Sequence, residues 1–273
     1  MHGDVHTADN DGVTIAYEER GRDPTTAETV VCCEGLGYGR WMWNWQAEAL
    51  AESSHVVVWD NRGTGDSDAP EGPYTIEQMA GDLEAVLDDV GITSAHVVGA
   101  SMGGMVAQRY ALAYDRAASL TLLCTSPGGP EAVPTPEATL ERMFSVPDDA
   151  DEREAIRYKM RPAVSDGFME QHEDLVEQIV DWRLDSDAPP AARQAQAAAV
   201  EAFDASDELD GIEVPVLVLH GTDDRVLPVG NGEILAERIP RADAEFVDGG
   251  SHLFFIEDAA RVTDRIEEFL ADV

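Results

Sequence analysis

The chain has 273 residues, and its 44% hydrophobic content is enough for a large core, which excludes a disordered acidic tail and a fibrous protein. Its 55 acidic residues against 18 Lys and Arg residues give a formal net charge of -37, which argues against nucleic acid and against an anionic membrane surface as partners. Because ions screen the repulsion among so many carboxylates, the composition is typical of a protein from a salt-accumulating halophile, with an ordinary acidic enzyme as the alternative.

The first residues of the chain contain neither a basic segment nor an apolar one, so no signal peptide is expected and the predicted location is cytoplasmic. No apolar stretch approaches the ~18 residues of a membrane span. Cys32, Cys33 and Cys124 lie inside apolar runs. Their odd number and their spacing predict buried free thiols and favour neither a disulfide framework nor a metal site.

Short β-branched runs alternate with longer helical patterns, which is typical of an α/β fold with a mostly parallel twisted sheet flanked by helices. In the helix predicted over residues 76–90, apolar residues repeat at i, i+3, i+4 and i+7. Thr75 is its predicted N-cap, Gln78 completes a capping box, and Gly91 is its predicted end. The predicted strands cover residues 13–17, 29–33, 55–59, 96–98, 119–124, 215–219 and 244–247.

Strand signals stop at residues 126–130 and return only near residue 210. The sequence between them is helical in pattern, interrupted by prolines, and acidic, with 21 acidic and 7 basic residues over 131–210. Residues 130–208 are therefore predicted to form a helical cap inserted into a core built from residues 1–129 and 209–273. A purely structural helical subdomain is the alternative. The acidity of the cap predicts that strongly anionic substrates are disfavoured.

The decisive motif is G-A-S-M-G at residues 99–103, which lies between a predicted strand and a predicted helix. A serine on such a turn can hold a strained backbone that projects its Oγ from the edge of the sheet, so Ser101 is the predicted nucleophile. Gly99 and Gly103 are needed because side chains there would clash with the neighbouring strand and helix. The N-terminus of the following helix would favour a developing oxyanion.

A serine nucleophile needs a base, and the base needs an acid that orients it. Of seven histidines, His252 follows the last predicted strand in a glycine-rich loop and is the predicted base, with His220 as the only serious rival. The other five are interpreted as structural or solvated. The acid is expected after the preceding strand, where Asp223 and Asp224 are adjacent, and counting alone does not choose between them.

Four motifs in order make the chain resemble the α/β-hydrolase superfamily, and within it the capped esterases, enol-lactonases and cofactor-free haloperoxidases. The resemblance implies that Asp224 is the acid, with Asp223 in reserve, and that the backbone N–H groups of Leu36 and Met102 form the oxyanion hole. The second of the motifs resembles a structural turn without a catalytic role. The motifs are E-G-L-G at 34–37, D-N-R-G-T-G-D-S at 60–67, G-A-S-M-G at 99–103, and G-T-D-D-R-V-L-P at 221–228 with G-G-S-H at 249–252.

One departure from the superfamily pattern is Glu34-Gly35, where His-Gly usually stands. An ionised carboxylate close to the oxyanion hole would oppose catalysis, so Glu34 is expected to be hydrogen-bonded away from the hole or to face solvent. The tract W-M-W-N-W follows at residues 41–45. Its aromatic residues are interpreted either as lining of the acyl pocket or as packing of the first helix on the sheet.

The resemblance implies an enzyme, a serine hydrolase that cleaves a small carboxylic ester or lactone through an acyl-serine, with Ser101, Asp224 and His252 as its triad. The reaction would require neither a metal nor an organic cofactor, and the expected partner is a small-molecule ester or lactone. Perhydrolysis by the same triad and a non-catalytic binding protein are the alternatives. The sequence leaves the oligomeric state open, a homo-oligomer included.

Overall fold

The computed structural model describes residues 4–147 and 149–273. In these two ranges eight strands form one sheet in the order β1-β2-β4-β3-β5-β6-β7-β8. All pairs from β4 to β8 are parallel, while β1 and β2 add an antiparallel edge. The strands are β1 Val5–Asn10, β2 Val13–Gly21, β3 Thr29–Cys33, β4 His55–Trp59, β5 Ala95–Ala100, β6 Ala117–Leu123, β7 Val216–Gly221 and β8 Ala242–Val247.

The central strands are buried along their whole length, as their apolar, β-branched sequences predict. Successive residues of β3 point to opposite faces of the sheet, so that Val31 belongs to one apolar cluster and Val30 to the other. The predicted α/β fold with a mostly parallel sheet is confirmed. The sequence prediction omitted β1, whose residues are polar and mostly exposed.

Helices cover both faces of the sheet and also fill the long connection between β6 and β7. Three short 3-10 segments lie at Arg40–Trp43, Arg161–Ala163 and Ser206–Gly211. The α-helices are α1 Asn44–Leu50, α2 Ile76–Val90, α3 Met102–Ala113, α4 Glu137–Phe144, α5 Glu152–Met160, α6 Phe168–Gln171, α7 Glu173–Ser186, α8 Pro190–Ala202, α9 Gly230–Arg238, α10 Phe254–Glu257 and α11 Ala259–Asp272. None of these helices, within the residues described, is long and apolar enough to cross a membrane.

Helix α2 has the boundaries and caps that the sequence predicts. The Thr75 hydroxyl accepts the Gln78 N–H, and the Gln78 side chain accepts the Thr75 N–H in return. This reciprocal pair satisfies N–H groups that would otherwise have no partner at the start of a helix. Gly91 ends the helix at φ 81°, a conformation that costs glycine little.

Helices α4 to α8 lie against the loops at the carboxyl edge of the sheet. The Ala188 N–H donates to the Gly37 carbonyl oxygen at 3.0 Å, next to the loop that follows β3. On the opposite side, the Leu253 N–H donates to the Ala163 carbonyl oxygen at 2.8 Å, next to the loop that follows β8. Since ligands of open α/β sheets bind outside the carboxyl ends of the strands, these helices lie where a binding site is expected.

Candidate active site

Ser101 occupies the tight turn between β5 and α3, and its backbone is strained. Its φ of 54° and ψ of -118° are unusual for a residue with a side chain. The flanking glycines permit this turn, as predicted. A Cβ on Gly99 would lie 2.3 Å from the Gly103 carbonyl oxygen, and a Cβ on Gly103 would lie 2.0 Å from the Cys33 carbonyl oxygen. Strand β3, the turn and helix α3 therefore pack backbone against backbone.

The two predicted oxyanion donors have free N–H groups. On either side of Leu36, the Gly35 N–H donates to Met42 Sδ at 3.3 Å and the Gly37 N–H donates to Gln196 Oε1 at 2.8 Å. Among the described residues, the Leu36 N–H has no acceptor, and neither has the N–H of Met102 at the start of α3. Because buried N–H groups are nearly always paired, two free ones beside Ser101 are suited to an anionic ligand.

Asp224 and His252 are in contact in a buried position at the carboxyl ends of β7 and β8. His252 Nδ1 lies 2.7 Å from Asp224 Oδ2, while Asp224 Oδ1 accepts the N–H groups of Val226 at 2.7 Å and Leu227 at 2.9 Å. Burial alone would raise the pKa of Asp224. The charge of His252 and the hydrogen bonds from His220 and His252 outweigh burial and hold that pKa below its usual range.

The neighbouring Asp223 is exposed, and only its backbone N–H is bound, to the Gly250 carbonyl oxygen at 2.9 Å. His220, the rival base, is fully buried, and its Nε2 lies 2.7 Å from the Leu227 carbonyl oxygen. A carbonyl oxygen only accepts, so Nε2 carries the hydrogen of this contact. The same nitrogen lies 3.2 Å from Asp224 Oδ2, so His220 contacts the predicted acid through a nitrogen that has no free lone pair.

The other histidines lie away from Ser101 or outside the described residues. His55 Nδ1 is 3.1 Å from Thr29 Oγ1, and His96 Nδ1 is 2.8 Å from Ser119 Oγ. These two contacts agree with their interpretation as structural residues. His6 belongs to β1, and exposed His172 precedes α7. His2 lies outside the described residues.

The three residues of the predicted triad thus share one edge of the sheet, on the loops after β5, β7 and β8. The structure joins Asp224 to His252 directly. In the described part of the chain, no hydrogen bond joins Ser101 Oγ to His252. Ser101 is instead close to the loop after β3, since a Cβ on Gly35 would lie 3.6 Å from the Ser101 Cβ.

Glu34 is fully buried, and its carboxyl group is bound away from the free N–H groups. Its Oε1 accepts the N–H of Asn61, which follows β4, whereas Oε2 has no partner in the portion of the chain described. Burial, followed by the charge of Asp60, raises the pKa of Glu34 well above its usual value. A carboxyl group with a raised pKa, bound to Asn61, opposes an oxyanion less than an exposed ionised carboxylate at this position would.

The aromatic tract packs the first helical segment against α7 and α10. Trp41 stacks on Trp182 with ring centroids 5.5 Å apart and an interplanar angle of 26°, and Trp45 meets the same ring edge-on at 5.8 Å. Trp43 is fully buried against Phe255. These contacts agree with the packing interpretation of the tract and extend it to the helices between β6 and β7.

Gln196 of α8 is a buried residue of the site that the sequence interpretation overlooked. Its Oε1 accepts the Gly37 N–H, and its Nε2 donates to the Arg62 carbonyl oxygen and to Thr64 Oγ1, both at 2.9 Å. The side chain therefore joins the loop after β3 to the turn after β4. Its position was available from the sequence, because it shares the face on which small residues recur at Ala192 and Ala199.

A sequence model of the α/β-hydrolase fold matches residues 28–259. The chain belongs to the α/β-hydrolase fold family. Among curated relatives, the protein named "Putative carbamate hydrolase RutD" from Caulobacter segnis is 31% identical over 261 residues, which cover 94% of this chain and 96% of the relative.

Two solved α/β-hydrolase structures are similar over nearly the whole chain. A hydrolase from Pseudomonas aeruginosa superposes with a TM-score of 0.85 at 28% identity, covering 98% of both chains. The enol-lactonase from Burkholderia xenovorans superposes with a TM-score of 0.83 at 30% identity, covering 97% of this chain and 100% of the other. Together with the family match, the similarity to these relatives identifies the protein as an α/β-hydrolase enzyme that catalyses a hydrolysis.

Proposed function

We propose that this α/β-hydrolase cleaves a small carboxylic ester or lactone through a covalent acyl-serine. Ser101 is the nucleophile, His252 the general base and acid, and Asp224 the residue that orients His252. The observation that carries the proposal is the strained backbone of Ser101 between β5 and α3. Such a conformation costs on the order of 1–3 kcal/mol and is characteristic of turns that expose a nucleophile.

The Asp224–His252 hydrogen bond supports the role of His252 as base. Because a carboxylate only accepts, the hydrogen of this bond is on Nδ1, and Nε2 is left with a free lone pair. During attack, Ser101 Oγ bonds to the carbonyl carbon and its proton passes to Nε2. The leaving alkoxide then takes that proton, and water repeats both steps to release the acid. Contacts between nucleophile and base often shorten only when substrate is bound.

The free N–H groups of Leu36 and Met102 support an oxyanion hole. The tetrahedral intermediate carries its negative charge on the former carbonyl oxygen, and each well-placed donor contributes about 10²–10³ in kcat in comparable enzymes. The N-terminus of α3 adds partial positive charge at the same place. Gln196 holds the neighbouring Gly37 N–H, which keeps that N–H from competing for the oxyanion.

We also propose that residues 130–208 act as a cap over this site, with residues 1–129 and 209–273 as the core. The hydrogen bonds of Ala188 to Gly37 and of Leu253 to Ala163 support this role, because they attach the helices beside the predicted oxyanion loop and beside His252. A cap excludes water from the acyl-enzyme and shapes the substrate pocket.

Replacement of the nucleophile tests the proposed function. Ser101→Ala is expected to lower kcat for p-nitrophenyl acetate by about 10⁴–10⁶. It should also abolish labelling by a fluorophosphonate probe, which requires an activated serine. Ser94→Ala is the control, because Ser94 is exposed and directly precedes β5, at the opposite end of that strand from Ser101. Equal rates for Ser101→Ala and the parent enzyme would refute the assignment. Absence of labelling in the parent enzyme would favour a binding protein.

A carbamate is the second candidate substrate, because the relative from Caulobacter segnis is named a putative carbamate hydrolase and its alignment covers 94% of this chain. Attack by Ser101 on a carbamate carbonyl would give a carbamoyl-serine by the same proton transfers. A panel of p-nitrophenyl acetate, a p-nitrophenyl carbamate and a small lactone, measured in concentrated salt, ranks the three substrate classes by kcat/KM. Peroxide-dependent bromination in the same panel tests perhydrolysis.

A further inference from the structure

Three cationic side chains meet inside the helices between β6 and β7. They are Lys159 of α5, Arg183 of α7 and Arg193 of α8, and Lys159 is the only lysine of the chain. Arg183 is almost fully buried, and Arg193 retains 20% of its side-chain exposure. Among the described residues, Asp187 is the one carboxylate whose charge acts on all three. An enclosed cluster with an excess of positive charge is unexpected in a chain of net charge -37.

Arg183 binds one oxygen of Asp187, whereas the other, Oδ1, has no hydrogen-bond partner in the described part of the chain. Its Nε and Nη2 lie 2.8 Å and 2.7 Å from Asp187 Oδ2, and its guanidinium group also stacks on Tyr38 at 4.5 Å from the ring centroid. Arg193 Nη1 is 4.0 Å from the same carboxylate oxygen, which is too far for a hydrogen bond. Within the described ranges, neither Arg193 nor Lys159 has a side-chain hydrogen-bond partner. Arg193, of whose side chain only 20% is exposed, therefore carries a charge without a hydrogen-bonded counter-ion among the described residues.

Arg193 lies directly on the loop that carries the proposed oxyanion donor. A Cβ on Gly37 would lie 2.7 Å from Arg193 Nη1 and 3.3 Å from its Cζ, so the guanidinium group rests on this glycine. Gly37 follows Leu36, and Gly35 on the other side approaches Ser101. The uncompensated charge is therefore beside the reaction centre.

Burial and mutual repulsion act against the charges of Lys159 and Arg193, and a bound anion would offset both. Burial, and then the charges of Arg193 and Arg183, lower the pKa of Lys159. Burial and the charge of Arg183 likewise lower the pKa of Arg193. The acidic residues that dominate residues 131–210 do not compensate, because side chains such as Glu173, Asp181 and Asp185 are exposed on the outside of α7.

We propose that Lys159, Arg183 and Arg193 form a subsite for a carboxylate that the substrate carries apart from its scissile carbonyl. The substrate class is then an anionic ester or lactone, such as the half-ester of a dicarboxylic acid. This inference rests on the proposed function of the Ser101 site, and it specifies in addition that the substrate is negatively charged. It reverses the preference that the acidic composition of the cap predicts, because the sequence does not show which side chains face inward.

A matched pair of esters tests the subsite. Monomethyl glutarate and methyl pentanoate have acyl chains of equal length, and only the first carries a carboxylate at neutral pH. The parent enzyme is expected to prefer monomethyl glutarate by about tenfold or more in kcat/KM, since a hydrogen bond to a charged group contributes about this much. Arg193→Met is expected to lower that preference by about tenfold. Both esters are measured at one salt concentration.

Arg153→Met is the control for a change of charge within the same helices. Arg153 of α5 binds Asp181 at 2.6 Å and also Glu177 on the outer surface, so its removal should leave the preference unchanged. The subsite is overturned if the parent enzyme hydrolyses both esters with similar kcat/KM, or if Arg193→Met leaves the ratio of the two kcat/KM values unaltered. Either result overturns the subsite even where hydrolysis still depends on Ser101. Hydrolysis that survives Ser101→Ala overturns the proposed function instead.

A second readout needs no turnover. In Ser101→Ala protein, monomethyl glutarate is expected to raise Tm more than methyl pentanoate does at equal concentration and ionic strength, because binding to the folded state stabilises it and only the first ester carries a carboxylate. Adding Lys159→Met should reduce this difference. Lys159→Met also replaces Arg193→Met in the kinetic test should the latter lose its circular-dichroism signal. Equal Tm shifts for monomethyl glutarate and methyl pentanoate would contradict an anion subsite.

Discussion

Asp223 and Asp224 are neighbours in the chain and differ in every contact of their side chains. Both oxygens of Asp224 are occupied, Oδ1 by two backbone N–H groups and Oδ2 by His252. Asp223 faces solvent. An acid that orients a base must itself be held in place, and Asp224 alone fulfils this condition within the described turn.

Substitution of each aspartate by asparagine separates their roles. Asp224→Asn is expected to lower kcat by about 10⁴, because an amide at this position favours the wrong tautomer of His252. The stability that ionised Asp224 contributes at neutral pH should also vanish. Since its pKa is lowered by folding, that contribution in the parent is lost as the pH falls below about 4. Rates on p-nitrophenyl acetate and Tm at two pH values measure both effects.

Asp223→Asn is the matched control, with the same chemical change one residue earlier. Its kcat and Tm are expected to stay close to those of the parent, because only its backbone is bound. A larger loss of activity in Asp223→Asn than in Asp224→Asn would exchange their assignments.

At this scale the sequence could name candidate residues and could not give their surroundings. The sequence shows two aspartates after β7. Which of them points inward depends on the backbone turn that follows, where the N–H groups of Val226 and Leu227 bind Asp224. Glu34 shows the same limit. Its partner Asn61 belongs to the turn after a neighbouring strand, 27 positions away, and only the completed sheet brings the two together.

The strand–turn–helix unit around Ser101 depends on close backbone packing between β3 and α3. A Cβ on Gly103 would approach the Cys33 carbonyl carbon to 2.5 Å as well as the Glu34 carbonyl oxygen to 2.8 Å. All of these atoms are backbone, so a side chain cannot be accommodated by a rotamer change. Any shift of α3 away from β3 would move the Met102 N–H relative to the Leu36 N–H.

Gly103→Ala is therefore expected to cost more in activity than in stability. Overpacking typically destabilises by about 1–3 kcal/mol, whereas separation of the two proposed oxyanion donors should lower kcat by about 10² or more. Denaturant titration and p-nitrophenyl acetate hydrolysis measure the two losses. Gly211→Ala is the control, because a Cβ there meets only the flexible end of Leu112 at 3.3 Å. Normal kcat in folded Gly103→Ala would contradict this account.

Element prediction succeeded where local chemistry decides the structure. Helix α2 carries its own apolar face, its cap at Thr75 and its stop at Gly91, so the sequence specifies all of it. Strand β1 has no such signal. Its residues V-H-T-A-D-N are polar and mostly exposed, and pairing with β2 supplies the hydrogen bonds that make it a strand. The sequence predicts that residues 130–208 are helical. It does not show which faces of α5, α7 and α8 point inward, because packing between the helices decides this.

Apart from a few buried carboxylates such as Glu34 and Asp224, the acidic residues that the structure describes are at least partly exposed. Many of the molecule's arginines form surface pairs, such as Arg153 with Asp181 and Arg265 with Asp243. Such exposed pairs contribute little and are screened by salt. The far larger number of acidic residues leaves most carboxylates without a cation, so self-repulsion opposes the compact state in dilute buffer.

A salt titration followed by circular dichroism tests the prediction that the acidic composition is an adaptation to high salt. The screening length is ~10 Å at 0.1 M salt and ~3 Å at 1 M, so loss of helical signal is expected below about 1 M KCl. Sucrose is the control, because it stabilises compact states without screening charge. Full structure in dilute buffer would contradict the adaptation. Equal protection by sucrose would show that screening is not its cause.

The cations enclosed by α5, α7 and α8 have a kinetic consequence for a substrate of the proposed class. At long range an anion meets the field of a strongly negative protein, which slows its encounter. At short range Arg193 attracts it. Salt weakens the long-range repulsion far more than the short-range attraction to Arg193, since enclosed charges are screened less. The association rate of an anionic ester should then rise with ionic strength, so the salt concentration around the protein would control how fast such a substrate enters.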